Sequence, residues 1–251
     1  MIAVALSEHQ AQDGGSVSGA PEPARDGVTT RVVLQPVAAP SILGLYGFAG
    51  ATLIVAANLA GWYGTKSSPQ FLFPFAMFFG GLAQFLAGMW AYKARDALAT
   101  AMHGTWGAFW LGYGVLQLLF AMHVLTEPTG AFPELGFWFI ALAAITAAGA
   151  LAALLENLAL FLVLGTLTTG SILAAIAFIG DYSGIEKAAG WVFVISAILA
   201  WYTASAMMLA ATAKRVILPL GKYQRDANIP GHTVTRPIQY EWAEPGVRMG
   251  Q

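Results

Sequence analysis

The chain is almost continuously apolar from Pro40 to about Ala213, a run far too long for one helix or for the core-facing stripe of a water-soluble domain. A bilayer core about 30 Å thick is crossed by roughly 20 apolar residues in a helix. The run must therefore fold back on itself several times. Polar and breaker residues divide it at Gly64–Pro69, Lys93–Ala97, Glu127–Phe132 and Asp181–Lys187. A fifth, weaker break at Glu156-Asn157 interrupts a stretch that would overshoot the bilayer as one helix, so a tight turn is expected there. Six spans result: Ser41–Tyr63, Phe71–Tyr92, Ala99–Thr126, Pro133–Leu155, Leu158–Gly180 and Ala188–Ala213.

Composition agrees with an all-α membrane protein. Of 251 residues, 57% are hydrophobic and only 10% charged, whereas soluble chains carry about 25% charged residues. A net charge of -1 gives no basic face for nucleic acid. The 28 glycines suit close helix packing in lipid. The absence of cysteine removes thiol chemistry and disulfides. Residues 1–39 are rich in Gly, Ser, Pro and Ala, hold no apolar run of signal-peptide type, and read as a flexible tail. Residues 222–251, with Lys222, Arg225, Pro230, Pro237 and Pro245, read as a second tail around a transmembrane domain of 40–221.

The basic residues set the expected orientation. Lys93 and Arg95 follow the second span; Lys214, Arg215, Lys222 and Arg225 follow the sixth. With an even number of spans these share one side, which the bias of Lys and Arg makes cytoplasmic, and both termini with it.

Little in the membrane zone suggests an enzyme. There is no HExxH, no Gly-rich phosphate loop and no paired intramembrane carboxylate, and neither a metal nor a cofactor is expected. The polar residues inside the spans are Asn58, Gln84, His103, Gln117, His123 and the group Thr166, Thr168, Thr169 and Ser171. Such groups either contact a small solute in a wet path or glue helices together. Histidine is the residue type suited to a proton-coupled cycle, which makes His103 and His123 candidates, but both lie near expected span ends, which favours an exposed or interfacial position.

Several blocks point further. The first span opens Ala39-Pro40-Ser41-Ile42-Leu43-Gly44-Leu45-Tyr46-Gly47-Phe48, and the second holds Phe79-Gly80-Gly81-Leu82-Ala83-Gln84-Phe85-Leu86-Ala87-Gly88. The third holds Thr105-Trp106-Gly107-Ala108-Phe109-Trp110-Leu111; Ala189-Gly190-Trp191 opens the sixth, and Arg215-Val216-Ile217-Leu218-Pro219-Leu220-Gly221 follows it. Together these blocks resemble the acetate/succinate transporter family from about Pro40 to Gly221. The chain departs from the family pattern at Ala39 (Asn in the family), Ile42 (Pro), Asn58-Leu59 (His-Asn), the turn Glu156-Asn157 (basic) and Met207 (acidic in some members).

The resemblance implies six helices per protomer, a pore in each protomer, a hexameric ring, and passage of acetate, related monocarboxylates or succinate by a channel or with protons. The family's apolar constriction joins a Phe of the first helix, a Tyr of the third and an aliphatic residue of the fifth, which fall on Phe48, Trp106 and Leu167. The expected substrate pathway runs past Pro40, Gly44, Asn58, Gln84 and Thr105. A carboxylate entering from the cytoplasm would meet the start of the first helix, where unpaired N–H groups and the positive dipole end gather. Ala39 supplies no side-chain donor at that mouth. A membrane sensor or assembly component that keeps the fold without transport is the alternative function class.

Overall fold

The computed structural model describes residues 37–223 and 228–231. Most of the two tails, with Arg225, Pro237 and Pro245, lies outside the described residues. Six helices follow in order: α1 Ser41–Leu59, α2 Pro69–Ala94, α3 Ala97–Ala121, α4 Pro133–Ala153, α5 Leu158–Gly180 and α6 Ser183–Ala213. Five are long and apolar enough to cross a bilayer on length and composition. The other, α3, has 25 residues and sufficient length, but His103, Gln117 and its glycines dilute its apolarity.

Helix starts are set by local chemistry. Asp96 caps α3, its Oδ1 accepting the Ala99 N–H at 2.8 Å. The weak break proves to be a real turn because Asn157 caps α5, accepting the Leu160 N–H at 2.9 Å. Pro69 and Pro133 stand in the first turns of α2 and α4, where a missing N–H costs nothing. The ending Pro219-Leu220-Gly221 acts as a backbone cap: the carbonyls of Gly221 and Leu220 accept the N–H groups of Leu158 and Ala159 at 3.1 and 3.0 Å. Gly221 has φ +70, and a Cβ there would lie 2.7 Å from the Leu158 Cβ, so a side chain is excluded twice over.

Some boundaries differ from the sequence reading. The first helix stops at Leu59 rather than Tyr63, because Asn58 Nδ2 donates to the Tyr63 and Thr65 carbonyls at 2.8 and 3.2 Å and folds the chain back. The third stops at Ala121, short of Thr126, and His123 adopts φ 58 beyond it. The sixth begins at Ser183, so Glu186 and Lys187 belong to its first turns rather than to a loop. At 31 residues it measures about 46 Å at 1.5 Å per residue, longer than an apolar core, and these charges lie in its first turns.

Within α2 the residues Ala76–Ala83 form a π-helical stretch just after Pro74. Proline withholds an N–H and crowds the preceding turn, and π-turns bend a helix where its neighbours demand it. Small residues set that demand. A Cβ on Gly80 would lie 2.4 Å from the Ala51 Cβ, and one on Gly47 would lie 2.5 Å from the Phe79 carbonyl. Each helix packs on its chain neighbours and α6 returns to α1, so the six close into a ring. Phe71, Phe75, Phe78, Leu86 and Trp90 of α2 point outward, as expected of a surface facing lipid or another protein.

Candidate translocation path

Two cavities enter the ring from opposite ends. The near vestibule, about 410 Å³, opens beside the start of α1 and is lined by Ser41, Asp96, Glu156, Asn157 and Lys222 at its rim. Gln84, His103, Thr203 and Met207 stand among its other lining residues. The far vestibule, about 600 Å³, opens between the α1–α2, α3–α4 and α5–α6 connections, with Lys66, Glu127, Asp181, Glu186 and Lys187 around it. Gln70 Nε2 fastens one edge of that mouth by donating to Glu127 Oε2 at 2.8 Å. Glu156 is exposed over much of its surface, yet loss of hydration at the near rim pushes its carboxyl above the ordinary value; Asp96 adds to the rise and Lys222 opposes it.

Trp106 and Leu167 line both vestibules, and Phe48 lines the near one. All three are almost wholly buried, at 3%, 2% and 2% exposure, so the layer between the cavities is dry. Phe48 meets the Trp106 ring edge-on with centroids 6.1 Å apart. The indole is held in place from α4: its Nε1 donates to Thr146 Oγ1 at 3.0 Å, and that hydroxyl donates to the Leu142 carbonyl at 2.6 Å. Phe109 backs it from the far side at 5.4 Å and is itself flanked by Trp110, Tyr113 and Phe139.

The other expected pathway residues divide. Gln84 lines the near vestibule, 2% exposed, with its Oε1 unpartnered. Asn58 lines the far vestibule, though its amide is engaged in closing the α1–α2 connection. Pro40 is the N-cap residue of α1 and makes no side-chain cap; its neighbour Ser41 reaches the near vestibule. Gly44 leaves room for the His103 ring, which a Cβ would meet at 2.5 Å. Thr105 is half-buried and lines neither vestibule. The hydroxyls of Thr166, Thr168, Thr169 and Ser171 all donate to carbonyls four residues back on α5, which is the helix-internal use of such groups.

His103 corrects the sequence reading. Near the start of α3 as expected, it is nonetheless 5% exposed rather than open to solvent, because its ring packs against Gly44 of α1; His123 is exposed. Sequence reasoning also passed over Thr52, Trp110, Tyr113 and the far-vestibule aromatics. A signal was present. His103, Trp106, Trp110, Tyr113, Gln117 and Phe120 follow one another at alternating spacings of three and four, placing them on one face of α3. Every one of them lines a vestibule.

Relatives place this architecture. A solved structure of the bacterial acetate channel SatP matches with a TM-score of 0.68 at 26% identity, covering 74% of this chain and 100% of that one. The succinate-acetate/proton symporter SatP of Escherichia coli strain K12 is 27% identical over 201 residues, which is 74% of this chain and 96% of the symporter. The ammonia transport outward protein 2 of Saccharomyces cerevisiae is 29% identical over 172 residues, 66% of this chain; the match spans 60% of the yeast protein's length. Residues 23–222 match the model of the GPR1/FUN34/yaaH family. With so much of its length inside that match, the chain belongs to the GPR1/FUN34/yaaH family.

Proposed function

We propose that this protein carries acetate and related small carboxylates, succinate among them, across a cell membrane through a pore in each protomer. The observation that carries the reading is the pair of vestibules meeting at one dry layer, with Trp106 and Leu167 on both sides of it and Phe48 packed against them. A narrow apolar ring excludes a water column and so closes a path to ions without a plug. Widening the ring by side-chain motion opens it to a small solute, channel-like or together with a proton. The relatives named for acetate and succinate supply the substrate class.

The basic residues Lys93, Arg95, Lys214, Arg215 and Lys222 gather at the near end, which supports placing that vestibule and both termini in the cytoplasm. The outward face of α2 and the small residues of the helices suit assembly with further copies, and a hexameric ring is the state proposed by analogy with the family.

Uptake of labelled acetate into proteoliposomes tests the function. Saturable or protein-dependent entry above protein-free vesicles is the expected result. Absence of such entry for acetate, propionate and succinate, with folded protein present, would leave the sensor or assembly reading in its place.

A further inference from the structure

Two polar atoms stand buried and unpartnered just on the near side of the dry layer: His103 Nδ1 and Gln84 Oε1. Both residues line the near vestibule. They also stand close together along α1. The His103 ring packs where a Gly44 Cβ would be, 2.5 Å away, and the Gln84 Cβ lies 3.5 Å from the place of a Gly47 Cβ. Three residues along a helix is about 4.5 Å of rise, and Phe48 of the barrier follows Gly47 directly. The backbones of α2 and α3 touch here as well, since a Cβ on Gly88 would lie 2.7 Å from the Gly104 nitrogen. Buried polar atoms are normally paired. Two orphans of complementary chemistry at the inner end of a cavity point to a ligand that pairs with both.

We propose that His103 and Gln84 form a carboxyl-binding station on the near side of the barrier, where His103 gives a proton to the carboxylate so that it enters the barrier as the neutral acid. The proposal rests on the transport reading above and adds its proton donor. An imidazolium has a donor on each ring nitrogen, and a carboxylate oxygen accepts one of them. In the transfer the imidazole N–H bond breaks and a carboxyl O–H bond forms, leaving neutral imidazole and neutral acid. The new O–H then has an acceptor in Gln84 Oε1, an atom that a carboxylate would leave orphaned. Two charges vanish together, which a site being stripped of water favours over an ion pair. The apolar layer of Phe48, Trp106 and Leu167 then meets an uncharged solute. In the reverse direction the acid returns its proton to His103 and leaves as the anion.

The charged groups sharing the vestibule are Asp96, Glu156 and Lys222, all at the rim. The lining residues from α1, α5 and α6 include no ionisable side chain, so His103 is the titratable group beside the barrier.

The test compares wild type with His103→Gln in proteoliposomes at equal internal and external pH, subtracting protein-free vesicles. Without a donor, flux follows the neutral-acid fraction and falls about tenfold per pH unit above the carboxylate range. With His103 as donor, flux per total acetate holds nearly level for as long as the imidazole keeps its proton and falls about tenfold per pH unit only beyond that point. The expected result is a wild-type profile that stays level to a higher pH than that of His103→Gln, whose flux falls about tenfold per unit directly above the carboxylate range. Superimposable profiles would overturn the proposal. Should the variant fail to fold, the wild type carries the test alone: in ¹⁵N-histidine spectra, saturating acetate should raise the titration midpoint of one buried histidine, and unmoved midpoints would overturn the station. Wild-type flux no greater than that of empty vesicles would instead defeat the transport reading, which the spectra do not measure.

Discussion

Truncating Leu167 to Ala separates a barrier from an ordinary core. Three carbons are removed, worth about 0.8 kcal/mol each in lost burial, or about 2.4 kcal/mol. A sealed core site adds a cavity penalty that carries Leu→Ala changes up to about 5 kcal/mol. At Leu167 the vacated space opens onto cavities of about 600 and 410 Å³ on either side, so water fills it and that penalty falls away. Leu142 provides the comparison: it is 0% exposed and lines neither vestibule. We expect Leu167→Ala to lose about 2–3 kcal/mol and Leu142→Ala about 3–5 kcal/mol. Thermal or denaturant unfolding in detergent measures the difference. Acetate-driven liposome swelling, normalised to folded protein, should be faster for Leu167→Ala and unchanged or slower for Leu142→Ala. Equal swelling in wild type and Leu167→Ala, or equal acceleration in both variants, would refute the barrier assignment.

Phe48→Ala and Trp106→Ala should likewise raise leak of small acids and relax selectivity toward larger ones, whereas a packing role alone predicts about 3–5 kcal/mol lost and no gain of flux. Gly88→Ala should cost about 1–3 kcal/mol, because its Cβ would lie 2.7 Å from the Gly104 backbone nitrogen and force α2 from α3; melting shifts report it. The Glu156 carboxyl is held above its ordinary value, so its ionised form opposes folding and stability is lost as pH rises through the folded-state value. Glu156→Gln should therefore raise the melting temperature at neutral pH, by little for so exposed a group, with the gain vanishing below about pH 4. Reporters placed at Thr129 and Lys222 should give opposite sidedness, and the same side for both would refute the six-span arrangement.

The span count was legible because bilayer thickness fixes how long an apolar run can remain one helix, even where only Glu156-Asn157 marked the turn. Helix ends were less legible where tertiary contacts set them. Asn58 reads as a polar residue inside a span, and nothing local announces that its amide will close the next loop. Glu186 and Lys187 read as loop, yet they stand in the first turns of a helix of 31 residues, longer than an apolar core needs. The π-stretch in α2 has visible ingredients, Pro74 and Gly80-Gly81, but the bend depends on Ala51 and Trp110 approaching from other helices. Of the candidate site, Phe48, Trp106 and Leu167 line the near vestibule together, while Thr105 stays outside both vestibules.

The helix that hydropathy undervalues has side chains lining both vestibules, and the two observations have a common cause. A helix facing lipid on its outside and a closed core on its inside can be apolar all round. One that borders water-filled vestibules needs side chains that tolerate both wet and dry surroundings. Tryptophan and tyrosine meet that demand with an apolar body and a polar edge, and glutamine and histidine supply hydrogen bonds. From His103 to Phe120 the stripe on α3 covers about 26 Å of rise, most of the thickness of a bilayer core. The second residue of the stripe, Trp106, has its polar atom satisfied by Thr146 of α4, whereas its stripe neighbours on either side, His103 and Trp110, keep an unpartnered nitrogen. Polar satisfaction inside the dry layer and orphaned polar atoms on each side of it are what a path requires: the layer must stay shut by itself, and the stations flanking it must still have a hydrogen bond to give.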